Sequence, residues 1–338
     1  MKHFNILVVK ETREGESRVS LVPRDIKKLI EQGHHVFFEH RAGEGAQFFD
    51  QDYQNAGAVI RYISDETILS YQEYFKDIDL IVRAKRPERS REILESKTIS
   101  KETIMIGALD PLEKQSPHIQ EYHEANIIAY SIDQLHLPPD DPMNLLAVMS
   151  KIAGKLALLD AIKHFDSIIK KIVIIGFGMA GRAAFDEAVK QELPIVVVLT
   201  NPNSMDEIKS RGHECVLLDK NAGIKEQQAF IKQILLNANI VITSARSPNQ
   251  PAPLLIPTDT LQSMQSGSVI VDLALSEGGN VEGSEHDKTK RLGNNIIVTN
   301  VSGYPKIFPH DASKLWSTVS FHFIHLLGSE RQVPLAPC

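Results

Sequence analysis

The sequence predicts an α/β protein of two domains, and three observations carry that reading. At 338 residues the chain is long for one core and comfortable for two. Short apolar runs alternate along it with stretches of helical spacing, the order expected of sheets whose strands are joined by helices. At residues 171–185, KIVIIGFGMAGRAAF, one such run meets Gly176, Gly178 and Gly181 and then passes into a helical pattern.

That last order is what a dinucleotide-binding turn requires. Gly176 permits a tight strand-to-helix turn, Gly178 lets backbone N–H groups approach a pyrophosphate, and Gly181 lets the helix pack closely on the strand. The helix N-terminus offers unpaired N–H groups and a positive dipole end to the phosphates. The next strand, 195–199, follows about twenty residues later, as the motif expects.

Along the first half, residues 4–9 read as a buried strand and 11–19 as a charged loop. Pro23 suits the first turn of a helix running to Glu31, stopped by Gly33. Further strands are expected at 36–38, 79–85, 103–110 and 126–132, with a short helix from Asp50, acting as its cap, to Asn55 and another at 117–125. The run PPDDP at 138–142 is the clearest punctuation in the chain, and residues 144–165 then carry apolar positions at spacings of three and four over several turns.

From Lys171 the strands are 172–175, 195–199, 215–218, 240–243, 269–273 and 296–299, with helices between. Six strands in this order match a Rossmann-type doubly wound parallel sheet. A final helix at 312–327 returns to the first domain. The expected division is 1–133 plus 310–338 for the first domain, and 134–309, with the linking helix 144–165, for the nucleotide-binding one.

Composition narrows the classes of function. A formal net charge of −6 argues against broad nucleic-acid binding. Cys215 and Cys338 have no metal-ligand spacing and suggest neither a disulfide framework nor a metal site. No apolar run of about eighteen residues could span a bilayer, and the apolar part of the N-terminus is too short for a signal peptide. The expectation is a cytoplasmic protein with no membrane segment in this chain.

Residues 10–23 (KETREGESRVSLVP), 33–45 (GHHVFFEHRAGEG) and 50–57 (DQDYQNAG) resemble the alanine dehydrogenase and nicotinamide nucleotide transhydrogenase alpha-chain family. The resemblance continues through 149–154 (MSKIAG), the glycine turn, 251–255 (PAPLL), 267–274 (GSVIVDLA) and 278–283 (GGNVEG). It implies a first domain of the family's N-terminal type, an NAD or NADP cofactor and a homo-oligomer. It also implies that Arg18 and Lys85 hold the carboxylate and oxo group of a small amino-acid or oxo-acid substrate. The expected cofactor-binding residues are Gly176, Phe177, Gly178, Met179, Ala180, Gly181, Thr200, Asn201, Ser244, Ala245 and Asn300.

Three positions depart from the family's dehydrogenases. Where they place a catalytic histidine this chain has Asp110, whose pKa would have to rise from about 4 to near 7 to serve as general acid or base. Lys85 nearby would oppose that rise. Ser276 stands where they have an aspartate near substrate and nicotinamide. Thr200 replaces an acidic residue that would bind the adenosine ribose, which weakens NAD and removes the repulsion of a 2′-phosphate. The loop 200–204 (TNPNS) offers hydroxyls and amides but no arginine to select NADP. Likewise 139–144 (PDDPMN) keeps none of the Arg, Gln and Asp by which the transhydrogenase chains contact nicotinamide.

Other features carry less. His34-His35 reads as surface rather than metal-binding, Arg83, Lys85 and Arg86 as a basic patch at a strand end, and Asp311 as the cap of the last helix. The expected activity is hydride transfer between a nicotinamide cofactor and a small amino acid, 2-oxo acid or its imine, with Arg18, Lys85 and Asp110 as the acting residues. The alternatives are the soluble NAD-binding alpha component of a transhydrogenase, and a catalytically silent nucleotide- or amino-acid-binding protein.

Overall fold

A computed structural model describes residues 2–111, 117–135, 137–138, 141–246, 250–301, 303–329 and 337–338. The chain divides into two compact units, one of Met1–Met149 with Pro305–Cys338, the other of Ser150–Tyr304.

The first unit runs β1 (Asn5–Val8), α1 (Pro23–Glu31), β2 (His35–Glu39), α2 (Asp50–Asn55), β3 (Val59–Arg61), α3 (Ile68–Tyr74), β4 (Leu80–Lys85), α4 (Arg89–Thr98), β5 (Ile104–Ala108), α5 (His118–Glu124) and β6 (Ile128–Ser131). Its six strands are all parallel, in the order β3-β2-β1-β4-β5-β6. The unit is therefore itself doubly wound, more specific than the plain α/β sheet expected. Because both faces are covered, its central strands carry continuous apolar runs, Ile6-Leu7-Val8 in β1 and Leu80-Ile81-Val82 in β4. Ile6 and Val8 point into one core with Leu80 and Val82, while Leu7 and Ile81 point into the other with Tyr74, Met105 and Tyr122.

The chain passes through α6 (Leu145–His164) into the second unit, which runs β7 (Ile172–Ile175), α7 (Met179–Lys190), β8 (Ile195–Leu199), α8 (Met205–Ser210), β9 (Glu214–Leu217), α9 (Ile224–Leu235), β10 (Ile240–Thr243), α10 (Thr258–Ser263), β11 (Val269–Asp272), β12 (Thr289–Leu292) and β13 (Ile296–Thr299). The sheet order is β12-β13-β11-β10-β7-β8-β9. All pairs are parallel except the edge pair β12·β13. Here too neighbouring residues alternate, Ile172 and Ile174 facing one core and Val173 and Ile175 the other.

After α11 (Tyr304–Ile307), α12 (Pro309–Gly328) packs in the first unit, with Trp316, Val319, Phe323 and Ile324 in the same core as Ile6 and Val8. Truncating a buried aromatic of this kind typically costs about 3–5 kcal/mol. The helix is thus a fixed wall of the unit. Its Ser313 and Ser317 hydroxyls accept the Val19 and Val22 N–H groups at 2.9 and 3.0 Å and tie down the loop carrying Arg18.

Several local expectations are corrected. β3, α3 and α4 arise from segments without a clear apolar period, and the antiparallel β12, TKRL, is too polar to read as a strand. Asp50 is the first residue of α2 rather than its cap, and Asp52 instead reaches back to the Phe49 N–H at 2.9 Å. Asp311 lies inside α12, capped by Phe308, and pairs with Lys314. His34 is not surface: it is buried, stacks flat on Phe4 and accepts the Phe4 N–H at 3.1 Å. Arg83 is no solvated patch either, being buried against Glu95 at 2.7 Å. Of the PPDDP punctuation, residues 139 and 140 lie outside the described residues.

Candidate functional site

In an open α/β sheet, ligands sit beyond the carboxyl ends of the strands where the winding reverses. The second unit reverses between β7 and β10. Gly176 follows β7 with φ +92°, a conformation that disfavours side chains. A Cβ there would stand 2.9 Å from the Ala245 nitrogen just beyond β10. A Cβ on Gly181 would lie 2.0 Å from the Gly176 carbonyl oxygen, so this glycine sets how closely α7 packs on the turn. At Gly178, the residue before α7, a Cβ would meet nothing within 4 Å. The protein gives no internal reason for a glycine there; a ligand approaching the backbone does.

This turn opens a cavity of about 880 Å³. Gly176, Phe177, Gly178, Met179, Ala180, Thr200, Asn201, Ser244, Ala245 and Asn300 line it, whereas Gly181 lies behind the turn. Ser276 is on the wall as well. Asn300 has its side chain committed, donating to the Asp272 carbonyl at 2.7 Å and accepting the Asp287 N–H at 3.1 Å.

Sequence reading missed the support behind this wall. Asn280, fully buried, accepts from Thr243 and the Ala245 N–H and donates to the Ala245 and Pro253 carbonyls, all within 3.0 Å. Asp272 in turn accepts the N–H groups of Ala274, Asn280 and Val281. Burial raises its pKa despite those bonds. Also missed were the cations on the lining, Arg182, Lys220 and Arg246, because none stands in the loop 200–204.

The first unit reverses between β1 and β4. The Glu11 carboxylate, just past β1, bridges that point by accepting the Ala84 and Lys85 N–H groups at 2.6 and 2.9 Å. Burial pushes its pKa up to about 7, against the pull of Arg83 and these two amides. At the adjoining strand ends, Lys85 Nζ stands 3.8 Å from Asp110 Oδ1, and Arg13 bonds the other Asp110 oxygen. Asp110 has φ +50°, a left-handed turn conformation uncommon outside glycine. Burial acts to raise its pKa, but Lys85, Arg13 and Arg86 outweigh that and the net shift is downward. The direction is opposite to the one general acid–base work at neutral pH requires.

Arg18 is buried above Trp316, its Cζ 5.0 Å from the ring centre. Glu16 takes its Nε and Nη2 at 2.7 and 2.6 Å, leaving Nη1 beside the Met149 sulfur at 3.6 Å. Among the described residues no hydrogen bond or ion pair joins Arg18 to Lys85 or Asp110, which the structure does bring together. Beneath them, Arg91 bridges Glu39 and Glu95, and Glu39 also takes the Lys10 N–H at 2.7 Å. This buried network fixes the start of the loop that carries Glu11, Arg13 and Arg18.

Two parallel-wound α/β units, the second opening on a glycine turn, are the architecture of an NAD(P)-dependent oxidoreductase, and that is the class of this protein. The chain belongs to the alanine dehydrogenase/PNT family. The family model "Alanine dehydrogenase/PNT, N-terminal domain" matches residues 7–153 and "Alanine dehydrogenase/PNT, C-terminal domain" residues 154–336. The alanine dehydrogenase of Staphylococcus epidermidis is 26% identical over 97% of this chain and 88% of its own length. The NAD(P) transhydrogenase subunit alpha of Cereibacter sphaeroides is 27% identical over 93% of this chain but only 64% of its own length. Among solved structures, a transhydrogenase from Sinorhizobium meliloti superposes with a TM-score of 0.81 at 25% identity, covering 95% of this chain and 93% of its own. An L-alanine dehydrogenase gives 0.79 at 23% identity over 96% and 90%, a likeness of fold.

Proposed function

We propose that the protein transfers hydride between a nicotinamide cofactor and a small amino acid, 2-oxo acid or its imine. The observation that carries this reading is Lys85, presented with Asp110 and Arg13 at the strand ends where the first sheet reverses. Two cations against one carboxylate leave a net positive charge, suited to an oxo acid. The similarity to alanine dehydrogenases supports the same substrate class.

The glycine turn with Phe177–Ala180 would hold the pyrophosphate on backbone N–H groups at the start of α7. Thr200 and Asn201 would meet the adenosine ribose, while Ser244, Ala245 and Asn300 shape the wall toward the nicotinamide. When bound, the cofactor supplies the hydride chemistry. In the first unit Arg18, oriented by Glu16, would offer Nη1 to the substrate carboxylate, and Lys85 would polarise the oxo group. Asp110, kept ionised, is assigned to orienting Lys85 or a substrate ammonium rather than to proton transfer. The working form proposed is a cytoplasmic homo-oligomer; among the described residues no helix is long and apolar enough to cross a membrane.

Of the alternatives, a silent binding protein is favoured by Ser276 and Asp110, which stand where the dehydrogenases carry an aspartate and a histidine, and an alpha component of a transhydrogenase by similarity along the chain. The purified chain, assayed for NAD(P)H oxidation with pyruvate and ammonium and for NAD(P) reduction with alanine and related acids, separates the readings. Turnover by the chain alone supports the dehydrogenase. Nucleotide binding without turnover, restored by a membrane partner, supports the transhydrogenase; binding without turnover under any condition leaves a silent binding protein.

A further inference from the structure

The cavity of the second unit carries a charge pattern that the function above does not use. Its described lining holds no aspartate or glutamate, yet it includes Arg182, Lys220 and Arg246. Arg246 is paired with Glu277 at 2.8 Å. The other two share the lining with the exposed Thr200, just past β8. Arg182 Nη2 donates to Ser204 Oγ at 3.0 Å, and its guanidinium lies over the Phe177 ring at 4.4 Å, so it reaches from the glycine turn to the loop after Thr200. On the other side, Leu218 N–H bonds the Leu199 carbonyl at 2.8 Å, which sets the segment leading to Lys220 beside the same strand end. Lys220 is exposed, and its ammonium has no partner among the described residues.

We propose that this corner is a subsite for the 2′-phosphate of the adenosine ribose, so that the protein prefers NADP(H) to NAD(H). The inference rests on the nucleotide-site reading above and deepens it. Thr200 puts no carboxylate against a 2′-phosphate, Lys220 supplies an unengaged cation, and Arg182 supplies a planar donor set suited to phosphate. Glu207 occupies Arg182 Nη1, but their side chains are 34% and 43% exposed. An exposed pair of this kind contributes little, so the guanidinium can exchange that partner for a dianion.

The test is a fluorescence titration of the full chain with NADPH and with NADH, repeated on Lys220→Ala and Thr200→Asp. Charge-assisted bonds to the extra phosphate predict that the wild type binds NADPH at least about tenfold more tightly. Lys220→Ala should narrow that ratio by weakening NADPH alone. Thr200→Asp, at an exposed position, should invert it through like-charge repulsion. Equal or tighter binding of NADH by the wild type overturns the inference while leaving the nucleotide site standing. Failure of the wild type to bind either nucleotide overturns both.

Discussion

Glu16 and Arg18, two residues apart on one loop, form a two-pronged ion pair in which both side chains are buried, with N–O distances of 2.7 and 2.6 Å. Removing one partner of a buried pair leaves the other charge uncompensated, at a cost of about 3–5 kcal/mol. Glu16→Gln should therefore lower the urea unfolding free energy by an amount in that range. A loss under about 1 kcal/mol would mean that Arg18 finds water or another partner.

The same pair sets an acid limit. Burial acts to raise the Glu16 pKa, but Arg18 outweighs it and the folded-state value lies below the ordinary 4.5. The stabilisation is complete above that ordinary value and is lost as pH falls through the lower folded one. Unfolding midpoints measured from pH 5 down to pH 3 should drop in the wild type more steeply than in Glu16→Gln.

Glu11 works in the opposite sense. Its folded pKa of about 7 exceeds the ordinary 4.5, so the native state holds a proton that the unfolded chain has released. Stability should fall as pH rises between those values, by at most about 3 kcal/mol. In Glu11→Gln this slope should vanish, although one of the two amides it serves loses its acceptor. Parallel slopes in the two proteins would contradict the assignment.

Lys85 lies at a strand end with its side chain a quarter exposed, outside both cores of its unit. Lys85→Ala should abolish oxo-acid turnover, lowering kcat/KM by about a hundredfold or more, the loss of a charged contact in the transition state. Nucleotide affinity should stay within about twofold. Surviving turnover would remove Lys85 from the substrate site.

How far the sequence disclosed this protein differs between its two units. The bounds of β8, β10 and β13 and the whole of α1 are visible from apolar runs and from Pro23, because those strands are buried on both faces. β3, α3 and β12 are not, since edge and half-exposed segments carry mixed residues. At the site, the glycine turn and the end positions of β4 and β5 are legible as local patterns. The partners are not: Glu11 meets Lys85 across 74 positions, and Asn280 meets Ala245 across 35, so only the winding of each sheet brings them together. Arg182 and Lys220 are hidden for the same reason, lying on α7 and on the loop between β9 and α9 rather than in residues 200–204.

The central claim, a dinucleotide diphosphate held on the backbone of the glycine turn, is tested most directly at Gly178. Its φ is −79° and a Cβ would meet nothing within 4 Å, so Gly178→Ala should fold with an unfolding midpoint close to wild type. Gly181→Ala, by contrast, should destabilise, because its Cβ would lie 2.0 Å from a carbonyl oxygen. Titration of Gly178→Ala with NADPH and NADH should show affinity reduced by about tenfold or more for both. Unchanged affinity in a normally folded Gly178→Ala protein would contradict the account.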